Sequence, residues 1–342
     1  MKPFKTHKQQ INILRGRGLN ISKGYQGSKV MRTLERENYY NVINGYKAPF
    51  LKRDNNNNEV YPEKYVEDTK FDEIYSLFKL DRKLRALLLE YLLLVETHLK
   101  SAISYEFTKK FNKANSYLDI KNYTSNQDKI ISVVSTISTL SGIIKRNVNK
   151  NSYIGSDLNS MEHYLKNHQE VPLWVLINYL SLGDLCYFYD SLDDKLRQKI
   201  ADVFSFRFKK EKQHHISIGV NDISGLLHLI RKFRNVCAHE ERLYDFKTGS
   251  PKMSRYIKEY NRENHLNITQ YEVSQGNIFT LLFILRFYLN KHDYLKLLNK
   301  LKDIFNCHSC DFSEESYKFI LKKTGLEYIK FLKLEKFNTQ KH

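Results

Sequence analysis

Between Ile223 and His239 the chain carries two arginines, an asparagine and two histidines at spacings that suit one side of a helix. At about 100° per residue, with Arg234 at zero, Ala238 falls near 40°, Arg231 near 60°, Asn235 near 100°, His228 near 120° and His239 near 140°, provided the helix continues that far. Leu226, Ile230, Phe233 and Cys237 fall between about 260° and 320°, with Ile223 and Leu227 at the edge, so the opposite face is committed to a core. One arc thus combines two fixed cations, an amide and a titratable imidazole, and Ala238 leaves room for a ligand.

That combination suits metal-free RNA cleavage. The 2′-hydroxyl must lose a proton as it attacks phosphorus, the 5′-oxygen must gain one as it leaves, and the phosphorane charge must be stabilised. A histidine with a pKa near ~6.5 serves either transfer at neutral pH. Arginine supplies a planar donor fork that stays charged and grips non-bridging oxygens. Asn235 would orient the imidazole or bond a phosphate. One histidine does not easily act as base and acid in a single transition state, so the simplest arrangement joins two copies of the helix across a two-fold axis.

The elements that must hold this arc are also helical. From Phe71, apolar residues recur at three and four through Ile74, Phe78, Leu84, Leu88, Leu92, Val95, Leu99 and Ile103, which predicts a long scaffold helix. Residues 8–53 predict two short helices and a turn, 54–63 a loop, and 110–170 a polar stretch whose Ser/Thr/Ile-rich portion (130–144) is not assignable. Trp174, Leu176, Ile177 and Leu180 predict a helix after Pro172 that ends near Gly183, with Trp174 as a core anchor. Ile278–Leu289 predicts a buried helix, and a Lys-rich helical tail follows from Tyr294. Five prolines among 342 residues argue against a turn-rich β architecture.

Composition narrows the class. Fifty-six Lys and Arg against 38 Asp and Glu give a net charge of +18, while 41% hydrophobic residues exclude a disordered polyelectrolyte. Residues 1–53 hold twelve basic and two acidic side chains, a clustering that suits phosphate neutralisation. Residues 195–213 interleave Phe204, Phe206 and Phe208 with Arg207, Lys209 and Lys210, a texture that suits RNA stacking and equally an amphipathic edge. Four cysteines make no disulfide framework. No secretory apolar segment follows Met1, and Glu90 and Arg286 break the longest apolar stretches well short of the ~18 residues of a membrane span. The expectation is a cytoplasmic protein without a membrane partner.

The run Arg234-Asn235-Val236-Cys237-Ala238-His239 resembles the Arg-x4-His motif of HEPN nucleases, and the surrounding chain is similar to the bacterial Abi-like (abortive infection, AbiD/AbiF) proteins. Five ordered motifs accompany it: Gln10 with Arg15-Gly16-Arg17-Gly18-Leu19; Asn38-Tyr39-Tyr40 with Gly45-Tyr46; Asp81-Arg82-Lys83-Leu84-Arg85; Pro172-Leu173-Trp174; and Arg242-Leu243-Tyr244. The resemblance covers roughly residues 1–250. It implies an all-α HEPN-type helical domain, and the chain then divides into a basic N-terminal segment (1–63), that helical domain (64–250) and, outside the resemblance, a C-terminal helical extension (251–342) expected to pack on the same core. It further implies a metal-independent endoribonuclease that halts the phage-infected cell, with no cofactor and a composite site in a homodimer. Position by position, Arg234 and His239 take the catalytic roles and Asn235 the polar one. Arg231, Arg242, Arg15, Arg17, Lys209 and Lys210 are the expected RNA contacts. The alternative is a non-catalytic RNA-binding protein that holds a structured non-coding RNA.

Other constellations carry less. His228 and the pair His214-His215 read as structural or surface side chains. Cys307-His308-Ser309-Cys310 has zinc-like spacing but no partner CxxC to complete four ligands. A phosphate-binding glycine loop, a His-Glu-x-x-His and a Gly-x-Ser-x-Gly elbow are missing, against an NTPase, a zincin or an α/β-hydrolase.

Overall fold

The computed structural model describes residues 3–148, 158–212, 214–327, 330–331 and 333–335, and among these the chain is all-α, with only isolated β-bridges such as Leu51 to Tyr65. Helices α1 (His7–Gly16) and α2 (Tyr25–Glu37) precede the scaffold helix α3 (Phe71–Lys110). Then come α4 (Ile130–Val148), α5 (Ser160–His168), the single turn α6 (Leu173–Leu176), α7 (Leu182–Ser191), α8 (Asp194–Lys212) and α9 (Val220–Ala238). The remainder forms α10 (Arg255–Glu263), α11 (Gln270–Ser274), α12 (Ile278–Leu285), α13 (Lys291–His308) and α14 (Glu314–Thr324).

Helix α3 has 40 residues and so runs about 60 Å. Its length lets α9, α13, α8 and α6 pack along it, while α7 packs on α9 and α4 packs on α7. Apolar residues at three- and four-residue spacing make this possible: Ile74, Leu77, Leu84, Leu88, Leu92, Val95 and Leu99 are all fully or almost fully buried. Helix α12 is buried nearly all round, and the Arg286 that follows it is enclosed beside the Tyr294 ring and 3.9 Å from Glu211.

Two expectations need correction. Trp174 is half exposed, at 50%, rather than a core anchor. The turn Leu173–Leu176 buries Leu173, Val175 and Leu176, and so short an element has a second side on which Trp174 must lie. Nor does that helix reach Gly183. It ends within one turn and a 3₁₀ segment, and Ser181 starts α7 by accepting the Asp184 amide while Asp184 accepts the Ser181 amide, so Gly183 lies inside the next helix. The unassigned stretch 130–144 is helical. Val133, Thr136, Leu140 and Ile143 form a buried stripe in α4, which packs on α7.

Candidate active site

Helix α9 begins where the Gly219 amide donates to Asp222 Oδ2 (2.8 Å) and buries Ile223, Leu226, Ile230, Phe233 and Cys237 against its neighbours. It ends at Ala238, one residue short of the imidazole. His239 still holds the helical path because its amide donates to the Asn235 carbonyl (2.9 Å). Glu240 then turns left-handed (φ 55°) and the Glu241 amide reaches back to the Val236 carbonyl (3.0 Å), closing the helix end. The turn thereby fixes where His239 stands relative to Arg234.

Four side chains of this arc, Arg231, Arg234, Asn235 and His239, make no hydrogen bond or ion pair among the described residues: Arg231 and Arg234 are half-buried, and Asn235 and His239 are exposed. The Arg234 Nε is buried without a partner. A buried donor without a partner is costly, whereas the two terminal nitrogens of Arg234 are open to solvent or to a ligand. Gly183 of α7 approaches Arg231, for a Cβ there would lie 4.0 Å from the Arg231 Cδ. His228 is different. Its Nε2 lies 3.3 Å from Asp190 Oδ2, and Asp190 also accepts the Ser224 hydroxyl, so this imidazole is tied to α7.

Behind the arc lies a polar node that unites three of the sequence motifs. Asp81 Oδ2 accepts the Tyr46 hydroxyl (2.7 Å), the Arg85 guanidinium (2.5 Å) and the Leu243 amide (3.0 Å), and Arg85 also reaches the Glu241 carbonyl (3.3 Å). Asp81 and Arg85 are buried in the first half of α3. Burial pushes the Asp81 carboxyl above its usual range, and the hydrogen bonds from Tyr46, Arg85 and the Leu243 amide pull against it. The Tyr46 hydroxyl is likewise raised, first by burial and then by Asp81. Residues 46, 81, 85 and 243 thus clamp the segment that leaves His239. The motifs taken singly do not reveal this common role; the signal for it in the sequence is an Asp/Arg pair four apart on the apolar stripe of α3.

The expected RNA contacts fall in different surroundings. Lys209 and Lys210 are exposed near the end of α8. Arg15 donates to the Ile21 and Ser22 carbonyls (2.9 and 3.1 Å), and Arg17 pairs with Glu63 (2.6 Å). Arg242 donates to the Gly45 carbonyl (2.9 Å) and Asp245 (2.7 Å). Arg15, Arg17 and Arg242 therefore brace the loops around them, and the N-terminal cations Lys29, Lys47 and Arg53 are paired with Asp72, Glu63 and Glu59. Sequence reading also passed over Glu240 and Glu241, two exposed carboxylates directly after His239.

His214 lies 3.0 Å from Glu263 and edge-on to Tyr260, and Cys307 and Cys310 are exposed free thiols. Among the described residues no three His, Cys, Asp or Glu side chains cluster as a metal site, and no helix is long and apolar enough to cross a membrane.

The model of the Abi-like protein family matches residues 32–245. No curated protein and no solved structure matches the chain. The matched span contains the node residues Tyr46, Asp81, Arg85 and Leu243 together with the whole Arg231–His239 arc, and it excludes Arg15, Arg17 and everything after Asp245. Because that span exceeds half of its length, the chain belongs to the Abi-like protein family.

Proposed function

We propose that the protein is a metal-independent endoribonuclease of HEPN type acting in abortive infection, with Arg234, Asn235 and His239 as its catalytic group. The observation that carries this reading is the unpartnered arc at the end of α9, set against a clamped backbone. Family membership supports the abortive-infection setting. In the reaction the 2′-oxygen forms a bond to phosphorus and the bond from phosphorus to the 5′-oxygen breaks. The 2′-hydroxyl proton passes to a base, and the departing 5′-oxygen receives a proton from an acid. His239 serves one transfer, and His239 of a second copy serves the other. Arg234 holds the non-bridging oxygens, where its charge is worth most as the phosphorane forms.

Arg231 extends the cationic face toward the RNA backbone. Contacts from Arg15, Arg17 or Arg242 would have to compete with the hydrogen bonds that those side chains already make. A second reading, in which the arc holds a structured RNA without cutting it, draws on His239 being the one imidazole of the arc that is not tied to a neighbouring side chain.

Incubation of the full chain with end-labelled RNA in EDTA separates the two. Cleavage by wild type, lost in Arg234→Ala and His239→Ala while both still bind the RNA, is the expected result. Intact RNA in a folded, RNA-bound wild-type dimer would overturn the nuclease reading, and cleavage surviving in both variants would place the site elsewhere.

A further inference from the structure

A cleft of about 460 Å³ opens between α3, the second half of α8 and the turn that leads into α13. His98 on its α3 wall lies thirteen residues beyond Arg85, about 20 Å along the helix, so the cleft is separate from the end of α9. Its floor is aromatic, made by Phe204, Phe208, Phe287 and Tyr288, with Phe208 stacked on Phe287 at 5.5 Å. Arg207 and Lys210 stand at its edge, exposed, and neither makes a hydrogen bond or ion pair among the described residues. Arg207 lies over the Phe204 ring at 5.5 Å.

Two groups inside the cleft offer polar contacts. His98 lies beside the Tyr288 backbone, and burial, followed by the nearby Arg207, lowers its pKa. Glu211 lines the same space 3.9 Å from Arg286, and burial pushes its pKa up while Arg286 pulls against it. The walls come from both parts of the chain. His98 and the α8 residues lie within the family match, whereas Phe287, Tyr288 and Leu289 lie beyond Asp245, so the C-terminal extension completes a cleft that the matched region alone leaves open.

We propose that this cleft binds a nucleoside phosphate, with its phosphate on Arg207 and Lys210, its base over the aromatic floor, and its sugar hydroxyls or base amino group on Glu211 and His98. Each part of the ligand follows from a part of the site. Two unpaired cations call for an anion. The aromatic lining, though each ring is at most 6% exposed, suits a heterocycle better than a bare inorganic anion, and Arg207 adds a cation–π contribution. Glu211 repels a second phosphate and accepts from hydroxyl or amino groups. The volume suits one nucleotide and admits neither a duplex nor a helix. The ligand is either a free mononucleotide or a single unstacked nucleotide of an RNA strand.

Calorimetric titration of the full chain with adenosine monophosphate, adenosine and inorganic phosphate tests this. The monophosphate is expected to bind at least tenfold more tightly than adenosine or phosphate. Arg207→Ala/Lys210→Ala, changed at two exposed positions, is expected to weaken it at least tenfold. None of these outcomes depends on Arg234 or His239, so this result stands apart from the fate of the nuclease reading. A pentanucleotide that competes with the monophosphate assigns the ligand to RNA, and one that does not assigns it to the free nucleotide. Absence of binding at about 1 mM for AMP, GMP, CMP and UMP alike, or full affinity in the double variant, overturns the proposal.

Discussion

At the last turn of α9 the small differences between neighbouring positions decide what each residue does. Arg234 and His239 face outward without partners, while Cys237 between them is buried, and burial followed by the nearby Asp81 pushes its thiol up to about 12. Cys186 is held at about 12 in the same way, first by burial. At pH 8 the native protein should therefore react with a thiol reagent at Cys307 and Cys310 only, and at all four cysteines in denaturant. Rapid native labelling of Cys237 would mean that the motif end of α9 frays. Helical arithmetic made most of this end legible in the sequence, because Arg231, Arg234 and Asn235 lie inside a regular helix. It misjudged Trp174, since residue type alone does not tell which side of a one-turn element faces the core.

Elements are joined here by a few buried charges as well as by apolar stripes. Asp81→Ala should destabilise the chain by about 3–5 kcal/mol in denaturant unfolding, because Arg85 would be left charged and buried with its carboxylate gone. A loss below about 1 kcal/mol would show that the node is not what clamps the 241–243 segment. A second ionic cluster ties α2 to α3: Glu37 accepts from Arg36 and Arg82 at 3.0 and 2.8 Å. Burial opposes its charge, yet Arg82 and Arg36 outweigh it and lower the Glu37 pKa. A folded-state pKa below the unfolded value adds stability above the ordinary carboxylate range, and this stability disappears as pH falls through the folded value. Glu37→Gln should thus be less stable than wild type at pH 7 and equal to it once both are measured below that range; an equal difference at both pH values would refute the assignment. Helix α3 and its partner α9 could be read from periodicity. The node was hidden because Tyr46, Asp81 and Leu243 meet across 35 and 162 residues of chain, a distance no local pattern records. Helix α4 was hidden for another reason, since its Ile, Val, Thr and Ser residues have weak intrinsic helix preference and only packing on α7 decides their state.

Over the whole molecule, the excess charge of +18 divides into cations that brace loops and cations that stand free. The N-terminal segment is dense in charge, but Arg15, Arg17, Lys47 and Arg53 are occupied locally, whereas Arg231 is not. For single-stranded RNA each phosphate contact adds about 0.7 to the slope of log affinity against log salt. In the His239→Ala background, Arg231→Ala should lower that slope by about 0.7 and Arg15→Ala should leave it unchanged; the reverse ranking would return the RNA backbone to the N-terminal segment. The central claim is chemical, and the ends of the RNA fragments test it most directly. With EDTA present, wild type should leave a 2′,3′-cyclic phosphate and a 5′-hydroxyl, and Arg234→Ala and His239→Ala should leave neither while binding RNA as before. Fragments with 3′-hydroxyl and 5′-phosphate ends, or unchanged cyclic-phosphate products from both variants, would contradict it.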